Sequence, residues 1–271
     1  MSRRPGLPPQ AQSTCSRSVT TTSISVTTTS TSPPSSSSGA PGTPLPGTDA
    51  RVLVTSRLAG DASPWRVAGG SETGPRVEHR SLVDRPWTFV RQVHGYEVVT
   101  VEDATGPLAV EADAIVTRSD RACLAVLGAD CPLVGLASPD GVVGVAHAGW
   151  RGLVAGVLQR SVEAMRSLGA TDVVAVVGPC AHASCYEFGE EDLERVEQRL
   201  GGSVRGVTSG GSVALDLVQG VRLALGEQGV AAVDDVGGCT VCDGRWFSHR
   251  GRGDVGRHAL AVWLEPAARG S

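Results

Sequence analysis

The sequence contains no lysine: all 24 of the basic residues in this 271-residue chain are arginine. The absence excludes chemistry that needs an ε-amine, such as a Walker A phosphate loop, a Schiff-base aldolase, a pyridoxal-phosphate enzyme or a Ser-Lys hydrolase. Phosphate binding stays open, because arginine binds phosphate through paired hydrogen bonds. If phosphate is a ligand, arginine side chains or backbone N–H groups must hold it.

The sequence also lacks a positive net charge, a long apolar run and a secretory signal. The formal net charge is −4, which argues against a nucleic-acid binder, since such proteins carry a basic surface. No apolar run is long enough to predict a membrane span, and no apolar segment follows Met1–Arg4 as it would in a secretory signal. The seven cysteines are therefore interpreted as thiols or metal ligands of a cytoplasmic protein. No protein partner is indicated.

Composition divides the chain into a tail and a domain. Serine, threonine and proline make up 30 of the first 50 residues, and such a segment cannot bury enough apolar surface to offset its ordering entropy. We expect residues 1–50 to form a disordered tail, residues 51–265 a single catalytic domain, and residues 266–271 a short C-terminal tail.

Short β-branched runs separated by turns predict a strand-rich domain. The runs Ala122–Leu127 and Gly141–Ala146 are wholly apolar, which predicts strands buried on both faces. Apolar residues at helical spacing predict three helices, over Leu153–Leu168, over Glu190–Leu200 and from Leu217 to near Gly229. Strands outnumber helices and cluster along the chain, so we expect an α+β fold. Further strands are predicted at Arg51–Thr55, Trp87–Val90, Glu97–Val101, Ala114–Thr117, Asp172–Val177, Ala231–Val233 and Ala259–Trp263.

Three ligand-capable side chains follow predicted strands. His94, Cys131 and His147 each lie beside a glycine or proline turn that lets the backbone approach a ligand. Two imidazoles and a thiolate form a zinc-binding set whose fourth position is open to water or substrate. Their separations, 37 and 16 residues, match no short metal motif. Hydrogen-bonded core residues, or a Cys-His nucleophile oriented by Asp130, are therefore alternative interpretations.

The strings around these residues form a recognisable series. They occur in the order Gln92-Val-His-Gly, Ala129-Asp-Cys-Pro, Ala146-His-Ala-Gly-Trp-Arg-Gly, Gly178-Pro, Cys185-Tyr-Glu, Cys239-Thr, Phe247-Ser and Gly256-Arg. In this series the chain resembles the YfiH-type laccase-domain family, whose members are labelled polyphenol oxidase or peptidoglycan editing factor. The resemblance covers roughly residues 51–265.

The resemblance implies a fold, an activity and a cofactor. The implied fold is two packed β-sheets that form a pseudo-barrel connected by short helices. The implied activity is that of a cytosolic purine nucleoside phosphorylase, which splits adenosine, inosine or S-methyl-5'-thioadenosine with phosphate and also deaminates adenosine. The partners are then a small nucleoside and phosphate, and the cofactor is zinc (Zn²⁺) held by His94, Cys131 and His147.

Two other activities stay open from the sequence. The editing label predicts a cell-wall precursor hydrolase with Cys131 as its nucleophile and a histidine base. The oxidase label predicts copper (Cu²⁺), which composition disfavours. The 6 histidines are too few for the combined sites of a multicopper oxidase, and Met165 is the only methionine besides Met1 that is available as an axial ligand of a blue-copper site.

Four further residues are predicted to bind substrate: Arg80, Gln92, Arg151 and Ser248. The two arginines are the candidates for phosphate, because the chain has no lysine. Gln92 and Ser248 belong to strings that carry the resemblance. Asp130 is predicted to orient a ligand or to handle a proton in catalysis.

The chain also departs from the family pattern and contains two misleading motifs. Residues 65–77 lack the family's Asn-Leu and Gly-Asp-Asp strings, and His249 stands where the family has tyrosine; both departures concern substrate preference. Cys239 and Cys242 have zinc-knuckle spacing, but a structural Cys₄ site needs a second matching pair, and Cys180 and Cys185 are five residues apart, so no second zinc is predicted. Gly251–Gly256 fits a dinucleotide fingerprint, but only 15 residues follow it, so we interpret it as a loop.

Overall fold

The computed structural model describes residues 42–65, 77–103, 106–230, 233–235 and 238–266. Within these ranges the chain forms thirteen strands and six α-helices. The strands are β1 (Thr43–Pro44), β2 (Ala50–Val54), β3 (Trp87–Thr88), β4 (Val98–Val101), β5 (Ala114–Thr117), β6 (Cys123–Gly128), β7 (Leu133–Ser138), β8 (Val142–His147), β9 (Val174–Val177), β10 (Arg205–Val207), β11 (Val213–Leu215), β12 (Val233–Asp235) and β13 (His258–Leu264). The helices are α1 (His79–Leu82), α2 (Trp150–Ala155), α3 (Val157–Ser167), α4 (Glu190–Leu200), α5 (Leu217–Gly226) and α6 (His249–Arg252).

The strands form two large mixed sheets and one hairpin. The five-stranded sheet has the order β1-β2-β13-β6-β3 and the six-stranded sheet the order β12-β9-β7-β8-β5-β4, while β10 and β11 pair separately. Neighbouring strands are antiparallel except for β3–β6, β4–β5 and β9–β12, which are parallel. The two sheets pack face to face as a pseudo-barrel, and short helices connect their strands. The predicted α+β fold class is confirmed.

Alternating side chains build the core between the two sheets. In β13, Leu260 and Val262 pack toward the six-stranded sheet, whereas Ala261 and Trp263 pack on the opposite face of their own sheet. This alternation follows from the two-residue period of a strand. Because elements cover both faces, β6 and β8 bury nearly all of their residues, as their apolar runs predicted.

Helices α2 to α5 cover the outer face of the six-stranded sheet. The sequence predicted one helix from Leu153 to Leu168, but the structure has two. Gly156 adopts a φ of +89°, which is accessible to glycine and ends α2 before α3 begins. The helix α4 has the predicted bounds. The helix α5 follows Asp216, whose side chain accepts a hydrogen bond from Gln219 N at 2.9 Å.

The strand β7, which lies in the six-stranded sheet between β8 and β9, was not predicted from the sequence. Gly135 lies within it, just as Gly144 lies within the predicted strand β8. A Cβ at Gly135 would lie 2.9 Å from Val176 Cγ1 and 3.0 Å from Val262 Cγ2. The glycine therefore lets the two sheets approach each other. The hairpin of β10 and β11 was also not predicted.

The domain begins before residue 51. The strand β1 pairs with β2, and Leu45 is 2% exposed. Residues 42–50, which were expected in the disordered tail, are therefore part of the domain. Residues 1–41 and 267–271 of the two predicted tails lie outside the described residues. Among the residues that are described, no helix has the length and apolar character that a membrane crossing requires.

Candidate metal centre

His94, Cys131 and His147 converge in the folded chain. Their ligand atoms all lie within 4.8 Å of one another, and His94 Nε2 is 3.9 Å from Cys131 Sγ. In a tetrahedral zinc site, with Zn–S of about 2.3 Å and Zn–N of about 2.0 Å, neighbouring ligand atoms are about 3.5 Å apart. Small side-chain adjustments therefore bring the three to one ion, and the group can hold a metal.

The ladder between β7 and β8 brings two of these residues together. Cys131 lies in the turn that joins β6 to β7, and His147 is the last residue of β8. Leu133 pairs with His147 across the ladder, and Ala148 N donates to Pro132 O at 2.8 Å. The turn that carries Cys131 is therefore tied to the end of β8 by backbone hydrogen bonds.

Asp113 fixes the loop that carries the third residue and orients His147. Its side chain is fully buried and accepts hydrogen bonds from the N–H groups of Val93, His94 and Gly95 at 3.1, 3.0 and 2.7 Å. His147 Nδ1 donates to Asp113 Oδ1 at 2.7 Å. This hydrogen bond sets the tautomer of the imidazole and leaves its Nε2 available to a metal.

Asp113 was not predicted as a site residue. The usable signal is a lone carboxylate inside the apolar run Ala112–Val116. A buried carboxylate must be matched by several donors, because an unpaired buried charge is costly. Such a residue beside a strand start is therefore a candidate for orienting a ligand.

The three side chains and Asp113 shift one another's proton affinities. Burial raises the pKa of the Cys131 thiol, but hydrogen bonds and charge from His147 and His94 lower it to about 6. Burial lowers the pKa of His147, but hydrogen bonds to Asp113 and Cys131 raise it to about 9. Burial also raises the pKa of Asp113, but hydrogen bonds from His147 and Gly95 hold it below its usual value. Near neutral pH the site thus holds a thiolate and a carboxylate beside a protonated His147, and a divalent cation binds there by displacing the proton from His147 Nε2.

Gly149 leaves room for the metal-binding side chains. A Cβ at this position would lie 3.0 Å from His94 Cδ2, 3.2 Å from Cys131 Sγ and 3.6 Å from His147 Cε1. His94 itself has a φ of +60°, which is uncommon in residues other than glycine. Backbone strain of this kind concentrates at functional sites, where the surrounding structure holds it in place.

We expect Gly149→Ala to weaken zinc binding by about 10-fold or more, as happens when a partner of a metal ligand is lost. The added methyl group displaces His94 and Cys131, while the φ of −57° at Gly149 is accessible to alanine. Gly189→Ala is the matched control, because Gly189 also precedes a helix, has a φ of −70°, and none of the described atoms lies within 4 Å of the added Cβ. Competition with a chromophoric zinc chelator measures both affinities. Equal zinc affinity in the two variants would contradict the geometry.

Asp130 and Ser248 belong to one buried hydrogen-bond network next to Cys131 in the chain. Asp130 Oδ1 accepts from Thr240 Oγ1 at 2.6 Å and from Ser248 Oγ at 2.7 Å, and its Oδ2 accepts from Arg250 N at 2.6 Å. Asp130 also has a φ of +106°. The network holds the turn that carries Cys131. The predicted catalytic role of Asp130 and the substrate-binding role of Ser248 stay predictions.

Gln92 and Arg80 have defined surroundings as well. The Gln92 amide pairs with the backbone of Leu127: Nε2 donates to its carbonyl and Oε1 accepts from its N–H, both at 2.8 Å. Gln92 thereby ties the His94 loop to β6. Arg80 lines a cavity of about 400 Å³ together with Trp87 and Phe89, and none of the three candidate metal ligands is among the described residues that line it. Substrate binding by Gln92 and Arg80 stays a prediction.

Three aromatic residues, which we call the aromatic wall, pack together: Trp150, Tyr186 and Phe188. The ring of Phe188 meets Trp150 edge-on with centroids 5.5 Å apart, and it lies 5.5 Å from the ring of Tyr186. Trp150 directly follows Gly149, where an added Cβ would contact the candidate metal ligands. Burial raises the pKa of Tyr186 to about 12, and the charge of Cys131 contributes in the same direction. The wall therefore adjoins the candidate metal centre.

Two arginines stack on this wall. The guanidinium carbon of Arg151 is 4.3 Å from the centroid of Trp150, and that of Arg250 is 4.8 Å from the centroid of Tyr186. Arg250 Nη1 also donates to Glu187 O at 3.1 Å. Arg151 was predicted to bind substrate, whereas Arg250 was not. The available signal for Arg250 was its place in the Phe247-Ser-His-Arg string.

The remaining sequence features have simple places in the fold. The exposed His249 begins α6, and the Gly251–Gly256 string runs from this helix into the loop before β13. Gly251 and Arg252 belong to α6, so the string was wrongly predicted to be a loop at its start, and only Gly253–Gly256 form one. Of the divergent segment, residues 66–76 lie outside the described residues.

Comparison with known proteins identifies the class that this fold and site define. The sequence model of the family described as multi-copper polyphenol oxidoreductase laccase matches residues 74–265. The chain belongs to this family, and the resemblance read from its motifs is confirmed.

Relatives and solved structures agree with this membership. The chain is 38% identical over 219 residues to the purine nucleoside phosphorylase ORF3 of Streptomyces griseus, with 77% of this chain and 86% of that protein covered. It is 37% identical over 180 residues to the purine nucleoside phosphorylase Rv2149c of Mycobacterium tuberculosis, with 65% and 72% covered. Among solved structures, protein NMB0706 of Neisseria meningitidis is 28% identical with a TM-score of 0.66, covering 81% of this chain and 96% of that one. YlmD of Geobacillus stearothermophilus is 26% identical with a TM-score of 0.67, covering 82% and 94%.

Proposed function

We propose that this chain is a zinc-dependent purine nucleoside phosphorylase that acts on adenosine, inosine and S-methyl-5'-thioadenosine and also deaminates adenosine. The observation that carries the proposal is the His94, Cys131 and His147 group, braced by Asp113 and bordered by the aromatic wall. The names of the relatives from Streptomyces and Mycobacterium support the phosphorylase activity.

Zinc fits this donor set better than copper does. Two imidazoles and one thiolate leave an open fourth position, as in catalytic zinc sites. A blue-copper site adds a weak axial methionine. Within the described part of the chain the methionine is Met165, which is fully buried on α3 in the helical core. When bound, zinc supplies Lewis-acid polarisation and lowers the pKa of water.

The aromatic wall and its arginines are suited to a nucleoside and an anion. A purine ring stacks favourably on aromatic side chains, and Arg151 and Arg250 supply guanidinium groups beside it. In phosphorolysis a phosphate oxygen forms a bond to C1′ of the ribose, the C1′–N9 bond breaks, and its electron pair leaves with the purine, which takes up a proton. The two arginines bind the phosphate dianion bidentately and orient it toward the ribose.

Deamination is the second reaction of the proposal. Water adds at C6 of adenosine, the C6–N bond to the amino group breaks, and inosine and ammonia leave. The reaction needs no phosphate, so it is separable from base release by omitting phosphate. Asp130 holds the turn that carries Cys131, and we assign it a positioning role in both reactions.

The pair formed by Cys131 and His147 supports a second candidate function, hydrolysis of a cell-wall precursor. A thiol whose pKa is lowered to about 6 beside a histidine resembles a Cys-His nucleophile. This function needs no metal, whereas the phosphorylase proposal needs one. Activity of chelator-treated protein on a muropeptide precursor therefore separates the two.

The direct test incubates purified protein with inosine or adenosine, with and without inorganic phosphate, and separates the products by chromatography. We expect free base and ribose 1-phosphate only when phosphate is present, and inosine with ammonia from adenosine in its absence. Absence of base and of inosine, combined with cleavage of a muropeptide precursor by metal-free protein, would replace this proposal with the second candidate.

We expect Arg151→Gln to raise the KM for phosphate by about 10-fold or more, since a charge-assisted hydrogen bond contributes about 1.5–3 kcal/mol. The KM for inosine should change much less. Arg195→Gln is the control, because Arg195 pairs with Glu191 and Asp192 of its own helix α4. Steady-state kinetics with phosphate as the varied substrate measures both variants. An unchanged KM for phosphate in Arg151→Gln would remove this residue from the anion site.

A further inference from the structure

A second cluster of sulfur atoms lies apart from the candidate metal centre. The Sγ atoms of Cys185, Cys239 and Cys242 all lie within 4.8 Å of one another, and those of Cys185 and Cys242 are 2.8 Å apart. From the sequence, Cys180 and Cys185 were rejected as the second pair for Cys239 and Cys242 because they are five residues apart; the fold brings Cys185 alone to the cluster. Folding supplies the third ligand that the motif alone lacks.

The backbone holds the two contributing segments together. Cys180 N donates to Gly238 O at 3.3 Å, and Thr240 N donates to Cys180 O at 2.9 Å. Cys185 closes a short 3₁₀ turn that begins at Ala183, and its N–H donates to His182 O at 2.9 Å. The cluster is therefore built on paired backbone and does not depend on chance contact between mobile side chains.

The turn from Cys239 to Cys242 is held in its shape as well. Asp243 N donates to Cys239 O at 3.0 Å, and Arg252 Nη1 donates to Val241 O at 3.2 Å. Both hydrogen bonds are accepted by carbonyl groups of the turn Cys239–Cys242. Its sulfur atoms are thus directed to the same side as Cys185.

Backbone N–H groups face the buried sulfur of Cys239. His182 N is 3.5 Å from Cys239 Sγ, and the N–H groups of Val241 and Cys242 also face it. Hydrogen bonds to an ionised acceptor are stronger than those to a neutral one. Burial nevertheless raises the pKa of this thiol overall, so the N–H groups stabilise a thiolate only once a cation replaces the proton, as in a metal-bound cysteine.

The separation of 2.8 Å between Cys185 Sγ and Cys242 Sγ is too short for two separate thiols, since non-bonded heavy atoms pack at about 3.5–4.0 Å. Thiolates that share a tetrahedral zinc ion at about 2.3 Å lie about 3.8 Å apart. Cys242 is exposed and Cys185 half-buried, so side-chain rotation can open this gap. A shared ion uses all three sulfur atoms, whereas a disulfide leaves the buried Cys239 without a role.

We propose that Cys185, Cys239 and Cys242 bind a second Zn²⁺ ion as thiolates, with water as the fourth ligand on the exposed side. The three thiols release three protons, so the ion and its ligands carry a net charge of −1. Soft thiolate ligands favour zinc over magnesium or calcium. This proposal does not depend on the proposed function, because it concerns metal content and not turnover.

The position of the second ion defines its role. Cys185 precedes Tyr186 of the aromatic wall, and Cys239 precedes Thr240, whose hydroxyl donates to Asp130. The ion therefore ties the segment of the wall to the network that supports the turn of Cys131. Its role is structural: it fixes the segment of Cys185 and Tyr186 relative to the segment of Cys239 and Thr240.

The test counts metal ions after zinc saturation and desalting under reducing conditions. We expect two zinc ions per chain in the wild type, one in Cys242→Ser, one in Cys185→Ser and one in Cys131→Ala. Cys123→Ala, which removes a buried thiol outside both groups, should keep two. Cobalt loading of Cys131→Ala should give strong sulfur-to-cobalt charge-transfer bands that are lost when Cys242→Ser is added.

Two results would overturn the proposal. One is a single zinc ion in the wild type that disappears in Cys131→Ala and is unchanged in both Cys242→Ser and Cys185→Ser. The other is a disulfide between Cys185 and Cys242, detected by peptide mass spectrometry in protein kept in reductant. Cys185 is half-buried, so loss of zinc in Cys185→Ser alone could reflect misfolding. Cys242 is exposed and can be replaced without disturbing the core, so Cys242→Ser tests the zinc site separately.

Discussion

Replacing Cys131 with alanine is expected to lower kcat/KM for inosine phosphorolysis by more than about 100-fold, the upper end of what losing a mere partner of a metal ligand costs. The substitution removes the only sulfur of the His94, Cys131 and His147 group. Two neutral imidazoles then have to hold the ion without the thiolate whose charge balances it. Metal analysis should show the loss of one zinc ion.

Two further variants make this expectation specific. Cys123→Ala should keep full activity, which shows that loss of a thiol alone has no effect. Cys131→Asp retains an anionic zinc ligand but no thiol nucleophile, so partial, zinc-dependent phosphorolysis by this variant would favour metal chemistry over a Cys nucleophile. Full activity of Cys131→Ala would contradict both the metal proposal and the hydrolase alternative.

Asp113→Asn is expected to have the second largest effect, because this buried carboxylate serves two of the metal ligands at once. An amide side chain offers one accepting oxygen in place of two, and its NH₂ group faces backbone donors. We expect zinc affinity to fall by about 10–100-fold. Loss of the negative charge beside His147 should also lower the free energy of unfolding by about 3–5 kcal/mol, as when a buried ion pair is broken.

Asp140→Asn provides the matched control for this variant. Asp140 also accepts several hydrogen bonds at a turn, from Ser138 Oγ and from Thr171 N and Oγ1, but it does not contact the metal ligands. Zinc competition titrations and urea denaturation of both variants make the comparison. If Asp113→Asn binds zinc as tightly as Asp140→Asn does, Asp113 has no orienting role.

The sequence predicts well those strands whose residues form continuous apolar runs. The strands β6 and β8 are buried on both faces, so their residues are apolar without interruption. The strand β7 was not predicted although its residues Leu133–Ala137 are as apolar as those of β8, and its Gly135 lies where an added Cβ would clash with Val176 and Val262. The split between α2 and α3 escaped because the pattern of apolar residues continues through Gly156, and only the backbone conformation reveals the break.

The candidate site divides in the same way. His94, Cys131 and His147 are readable because each follows a strand and sits in a distinctive string. Asp113 is not readable as a partner, because hydrogen bonds to the loop before it and to the strand after it exist only in the folded chain. Cys185 was considered only as a pair with Cys180 and rejected for the spacing of that pair, because the sequence does not show that the fold brings Cys185 alone to Cys239 and Cys242.

The most direct test of the central claim is a zinc titration of metal-free protein during phosphorolysis of inosine. The account predicts no release of hypoxanthine from the metal-free chain and full release once the His94, Cys131 and His147 site is filled. Release of hypoxanthine at an undiminished rate by metal-free protein, or none after zinc saturation, would contradict it.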